Sequence, residues 1–155
     1  MYRVIIITGI PGSGKSSHVR NVYPNAFVCS ADHHFMVKGK YMFDATQLGE
    51  AHAQCMRRFL DGLARDILTI VVDNTNLSAI EIAPYYLAAQ AYGYQVSLYT
   101  MQVDPKIAAA RNIHGVSAEA IARMAKTLSN REIPPYWNIY QSNLDTNPVV
   151  DSIQF

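Results

Sequence analysis

Gly9-Ile10-Pro11-Gly12-Ser13-Gly14-Lys15-Ser16 follows directly on the apolar run Val4-Ile5-Ile6-Ile7-Thr8, and this junction sets the architecture of the whole chain. The pattern G-x-x-x-x-G-K-[ST], after a β-branched run and before a helical one, is a phosphate-binding loop, or P-loop. Its glycines let successive backbone N–H groups turn inward around a phosphate, and the helix that follows adds the positive end of its dipole. Gly9, Gly12, Ser13, Gly14, Lys15, Ser16 and Ser17 are therefore the expected nucleotide-binding residues. Lys15 is expected to bridge the β- and γ-phosphates of ATP, and Ser16 to ligate Mg²⁺.

Outward from the loop, apolar runs at Val4–Thr8, Ala26–Ser30, Thr69–Asp73 and Gln95–Met101 read as buried strands with helical patterns between them. Such alternation forces parallel strands, right-handed crossovers and helices on both faces of the sheet. The expected fold class is α/β, a three-layer α/β/α P-loop NTPase with a central parallel sheet. A first helix should run from near Gly14 to about Val22, where Pro24-Asn25 ends it. A second should span Ala45 to Asp66, capped by Asp44, with Leu48, Ala51, Cys55, Phe59 and Leu63 on one face. Ser78 and Glu81 form a capping box before a third helix, which the Tyr92-Gly93 break ends. Helical patterns at Lys106–Asn112 and Ala118–Leu128, parted by His114-Gly115-Val116, read as a mobile helical lid over about 106–128. From Arg131 onward, Pro134-Pro135 and a polar run predict an irregular tail over about 131–155.

A chain of 155 residues, half of them hydrophobic, fits one P-loop kinase domain over 1–155 and leaves no room for a second catalytic module. No apolar run approaches the roughly 20 residues a membrane span needs, and the amino terminus carries no secretory pattern, so a soluble, cytoplasmic protein is expected. Cys29 and Cys55 have no metal or redox spacing and read as reduced core thiols. A net charge of +1 gives no global attraction to polyanions, so nucleic acid would need a local patch. Lys38, Lys40, Arg57, Arg58 and Arg65 are candidates for one.

Three further positions bear on chemistry. Asp32, after the second strand in Cys29-Ser30-Ala31-Asp32-His33-His34, stands at the carboxyl edge where such sheets bind ligands. It suits the general base that accepts a hydroxyl proton during phosphoryl transfer. Asp73 closes the third strand as a Walker-B-like carboxylate expected to order the Mg²⁺ shell, and Asn74, Thr75 and Asn76 beside it are candidate substrate contacts. Arg111 on the lid is expected to stabilise charge on the transferring oxygens, with Arg123 a further substrate candidate. His33 and His34 are adjacent and point apart, which suits no shared metal. The tyrosines at 85, 86, 92 and 94 are read as core packing.

The run GIPGSGKSS, then SADHHF, YMFDATQLGEAH, VVDNTNL, PYYLAAQAYGYQV and RNIHGVSAEAIARM resembles, in order and spacing, the polynucleotide-kinase-like P-loop family. The resemblance covers residues 3–128 and is strongest to the branches of Nedd4-binding-protein-like and bacteriophage 5′-hydroxyl kinases. D-N-T-N with R-N-x-H-G-V is its most specific part. It implies an ATP- and Mg²⁺-dependent kinase that phosphorylates a nucleic-acid hydroxyl, DNA or RNA, with a 5′-end favoured. Lys15 and Ser16 would hold phosphates and metal, Asp32 would be the base and Arg111 the lid arginine. The phage branch carries an arginine three residues after the base, where this chain has Phe35, and a second lid arginine where this chain has His114 or Gly115. Rival acceptors are a hydroxymethylated base in DNA and a small nucleoside or metabolite alcohol. A rival of another class is an ATP-hydrolysing switch.

Overall fold

A computed structural model describes residues 1–148. Its five-stranded sheet has the order β2 (Phe27–Cys29), β5 (Thr69–Asp73), β1 (Arg3–Thr8), β6 (Gln95–Gln102) and β7 (Ile139–Asp145), and every neighbouring pair is parallel. β1 sits at the centre, with Ile5 opposite both Val71 and Ser97. A loop that leaves β1 is therefore flanked on both sides by strand ends, as a ligand site in an open parallel sheet requires.

The alternation of side chains along each strand divides the core between two faces. Val4, Ile6, Ile70, Val72, Val96 and Leu98 pack against α2 (Leu48–Ala64) and α3 (Ala79–Ala91). Ile5, Ile7, Val71 and Met101 pack with Val19 of α1 (Lys15–Val22) on the other. The three-layer arrangement expected from the sequence follows. α4 (Pro105–Arg111) and α5 (Ala118–Ser129) form a separate cluster, in which Ala108 and Ile121 are buried with Ile10 of the loop and Leu77.

Several element boundaries shift for local reasons. Asp44 does cap a helical start, but it accepts from Thr46 N at the head of a 3-10 turn over Ala45–Gln47, and α2 proper begins at Leu48. That helix continues through Gly62, where a Cβ would stand 2.9 Å from the Phe27 ring, so the glycine is a packing requirement. Ser78 and Glu81 make the capping box of α3. Tyr85, Tyr86 and Tyr94 are buried as expected, whereas Tyr92, expected in the core, lies exposed at the end of α3.

The expected irregular tail is corrected by β7, which pairs with β6 from Val96↔Ile139 to Gln102↔Asp145. An edge strand half in solvent needs no continuous apolar run, so Gln141, Ser142 and Asn143 hide it from a reading of hydrophobicity. Pro134-Pro135 ends before the strand and costs it no ladder bond. Residues 149–155 of the expected tail lie outside the described residues. A second small feature was also unforeseen, a hairpin of β3 (Met36–Val37) and β4 (Lys40–Tyr41) after a 3-10 turn over Ala31–Phe35. No described helix is long and apolar enough to cross a membrane.

Candidate active site

Gly12 and Gly14 hold positive φ angles of 81° and 93°, which turn the loop around the amino terminus of α1. Lys15 lies folded across the loop, its Nζ donating to the carbonyls of Gly9 at 2.9 Å and Ile10 at 3.0 Å. Burial pushes its pKa below the ordinary lysine value, while the charges of Asp73 and Asp32 act in the opposite direction. Ser16 Oγ donates to Asp73 Oδ2 at 3.0 Å. Burial raises the Asp73 pKa, opposed first by Lys15 and then by the Ser16 hydrogen bond. One lysine is thus gathered with two carboxylates at the carboxyl edge of the sheet.

A cavity of about 590 Å³ opens over this cluster. Gly12, Gly14, Lys15, Ser16 and Ser17 of the loop region line it, together with Asp32, Asn74, Thr75, Arg111 and His114. Gly9 and Ser13 stand outside the lining, and Ser13 Oγ is buried with no hydrogen-bond partner among the described residues. The donor set fits Mg²⁺ and a polyphosphate: hard hydroxyl and carboxylate oxygens paired at Ser16 and Asp73, a lysine ammonium, and loop backbone at a helix amino terminus.

Asp32 is fixed from both ends of its turn. The Ala31 N–H donates to Asn74 Oδ1 at 2.9 Å, and the Asp32 N–H donates to Ser30 Oγ at 3.2 Å. Asn74 therefore joins the end of β5 to the turn that presents Asp32. Tyr41 Oη donates to Asp32 Oδ1 at 3.4 Å. Burial first, then the Asp32 charge and this hydrogen bond, push the Tyr41 phenol up to about 12.

Two candidate substrate residues are not brought to the cavity. Asn76 is buried and donates to the Ile7 carbonyl at 3.1 Å, bracing β1, and Arg123 is exposed on α5 outside the lining. Arg111 does border the cavity, where its Nη1 donates to the Thr146 carbonyl at 3.0 Å. None of the candidate groove cations lines the cavity, and three have partners of their own: Arg57 pairs with Glu50, Arg65 pairs with Asp61, and Arg58 lies over the Phe27 ring and donates to the Val28 carbonyl.

Sequence reading missed Arg131. Its Nη1 donates to Thr8 Oγ1 and the Asn76 carbonyl, and its Nη2 donates to Thr100 Oγ1. It thereby ties the carboxyl ends of β1 and β6 to the loop after β5. It stands in a Pro-rich, polar stretch, and no motif marks it. Tyr41 and Phe43 escaped for a similar reason, since Tyr41 ends a two-residue strand and Phe43 lies in the irregular segment after it, and neither carries periodicity.

Residues 4–128 match the AAA domain family. Over 128 residues the chain is 39% identical to human NEDD4-binding protein 2, a match that covers 78% of this chain and 7% of that protein's length. Among solved structures it is similar to a chain of the Pnkp1/Rnl/Hen1 RNA repair complex, with a TM-score of 0.67 and 16% identity over 83% of this chain and 44% of the other. A sugar kinase from Janibacter sp. HTCC2649 gives a TM-score of 0.61 and 16% identity over 94% of this chain and 86% of that one. At such identities the structures speak for the fold alone. The family match over residues 4–128, joined to the loop and the sheet order described above, establishes that this chain belongs to the AAA domain family and fits its polynucleotide-kinase-like P-loop kinases.

Proposed function

We propose that this chain is an ATP- and Mg²⁺-dependent phosphotransferase that moves the γ-phosphoryl group to a hydroxyl of nucleic acid, most readily a 5′-hydroxyl end. The observation that carries the reading is that Lys15, Ser16 and Asp32 line one cavity, with Asp73 buried outside its lining and accepting a hydrogen bond from Ser16. A slow nucleotide switch has use for Lys15, Ser16 and Asp73 but none for a buttressed carboxylate facing the same space.

Lys15 leaves the loop carbonyls and neutralises β- and γ-phosphate oxygens, and the loop N–H groups hold the rest of the polyphosphate. Ser16 and Asp73 would hold the metal, which would supply positive charge to offset that of the transferred group. Asp32 accepts the proton of the acceptor hydroxyl as the hydroxyl oxygen attacks the γ-phosphorus, the bond from that phosphorus to the β–γ bridging oxygen breaks, and ADP leaves. Tyr41 engages Oδ1 and leaves Oδ2 free for this task. α4 and α5 act as the lid, and Arg111 supplies positive charge over the transferring oxygens when released from Thr146.

A small nucleoside alcohol is the second reading, favoured by the dispersal of Arg57, Arg58 and Arg65 into contacts of their own. Both readings suit a cytoplasmic protein with free, buried Cys29 and Cys55.

Transfer of labelled γ-phosphate from ATP with Mg²⁺ separates these possibilities. The panel is 5′-hydroxyl DNA and RNA oligonucleotides, duplex DNA with hydroxymethylated bases, nucleosides and sugar alcohols, with free phosphate counted in parallel. Label at a 5′-end is the expected result. Label on an internal base, a nucleoside or a sugar keeps the kinase and replaces its acceptor. Phosphate release with every acceptor unlabelled overturns the kinase reading in favour of a switch.

A further inference from the structure

The cavity lining is cationic at Lys15, Arg20 and Arg111, but the part contributed by residues 31–52 is largely aromatic. Between Ala31 and His52 its lining is Ala31, Asp32, Phe35, Tyr41, Phe43, Leu48 and His52, without a lysine or arginine. The Tyr41 and Phe43 rings are close to parallel, 13° apart with centroids 6.4 Å from each other. His114, from the segment between α4 and α5, stacks on Tyr41 at 4.4 Å and 21°. Phe35 is buried behind them, tilted against Phe43 at 5.1 Å and edge-on to Tyr41 at 6.0 Å, and so fixes the tilt of both rings. Phe43 nevertheless remains 51% exposed, and Met42 and Leu48 beside it are exposed as well. Large apolar groups left in water at the mouth of a site are costly unless something covers them.

Chemistry and position together name the occupant. A phosphate finds no lysine or arginine on this wall and meets the Asp32 carboxylate there, whereas a nucleobase offers a flat π-face that stacks on aromatic rings. The platform joins the reaction centre directly, because Tyr41 carries both the stacking face and the hydroxyl bonded to Asp32. A base lying on it therefore places its own sugar, and that sugar's hydroxyl, toward the carboxylate. Lys38, Lys40, Arg57, Arg58 and Arg65 do not line the cavity, so residues 31–52 offer the acceptor aromatic faces and no cation.

We propose that the exposed Phe43 ring, beside the Tyr41–His114 stack, forms a subsite that stacks the nucleobase of the very nucleotide whose hydroxyl is phosphorylated. This rests on the kinase reading above and adds to it that the acceptor is chosen by its terminal base more than by its phosphate backbone.

Two short 5′-hydroxyl oligonucleotides test it, identical except that the terminal nucleotide of one lacks its base. KM and kcat are measured for each with wild-type enzyme, F43A and F43L. Binding of both to the enzyme holding a non-hydrolysable ATP analogue is measured in parallel by calorimetry. The subsite predicts that removing the terminal base raises KM, and weakens binding, by roughly ten- to a hundredfold, the loss expected for one stacked base. F43A should erase most of that difference by weakening the base-bearing acceptor, and F43L should retain part of it. Equal KM and equal binding for the two acceptors, or full discrimination surviving in F43A, overturns the subsite. Discrimination in the binding measurement without transfer to either acceptor supports the subsite while removing the kinase reading, so the two fail separately.

Discussion

A Cβ on Gly12 would lie 2.0 Å from the carbonyl oxygen of Ala108, so the phosphate-binding loop and α4 meet backbone to backbone. The contact makes the loop one wall and α4 the other of a single joint, with Ile10 and Ile121 buried beside it. Movement of the α4–α5 pair is therefore felt at the loop.

Gly12→Ala should separate the two walls, since it adds a methyl where none fits and also strains a φ of 81°. A displacement of this kind should weaken ATP binding by about tenfold or more, equivalent to roughly 1.4 kcal/mol. Calorimetric titration with ATP checks it, with thermal melting to confirm that the variant is folded. Affinity within twofold of wild type would mean that the loop does not need this contact.

The pKa of Lys15 gives a second prediction. Its protonated form binds phosphate, and its pKa in the free protein lies below 10.5 because burial disfavours the charge. ATP affinity should fall as pH rises through that lowered value, beginning short of the ordinary lysine range. Stability should move the other way in the same window: the unfolded chain holds the proton to higher pH than the native one, so unfolding free energy rises with pH. Titrations of ATP binding and of denaturant midpoint against pH read the two slopes. Slopes of the same sign would contradict the assignment.

Arg131 supplies a prediction about stability. Its guanidinium satisfies Thr8, Thr100 and the Asn76 carbonyl at the carboxyl edge of β1 and β6, and burial lowers its pKa. Arg131→Met keeps the aliphatic length and leaves those acceptors short of a donor, which should cost on the order of 2–3 kcal/mol. Urea unfolding checks the value. A loss below about 0.5 kcal/mol, typical of a surface site, would show that the arginine does not brace the sheet.

How much of this was readable beforehand follows from how each feature is encoded. The loop from Gly9 to Ser16 and the four strands predicted from the sequence depend on local composition: glycines where backbone must approach phosphate, and runs rich in apolar and β-branched residues, fully buried in β1 and most of β5 and partly so in β2 and β6. Asp32 and Asp73 were legible because each follows such a run and so must fall at the carboxyl edge. β7 was not, since an edge strand borrows its order from β6 and shows only alternation of polar and half-buried residues. Arg131 and the Tyr41–Phe43 platform were hidden for a deeper reason. Their meaning lies in partners 123 residues away, as for Arg131 and Thr8, or on another element, as for Tyr41 and His114. Asn76 illustrates the converse, a polar residue in a functional motif whose side chain serves the Ile7 backbone.

If Asp32 is the proton acceptor of a phosphoryl transfer, Asp32→Asn should disable the reaction without disabling nucleotide binding, because the amide keeps the shape and removes the basicity. Single-turnover transfer of γ-phosphate to a 5′-hydroxyl oligonucleotide would be measured beside ATP affinity. The account predicts transfer slowed by about 10²–10⁴-fold, the usual worth of a positioned base, with ATP affinity within a few-fold of wild type. Transfer near the wild-type rate in a variant that still binds ATP would contradict it.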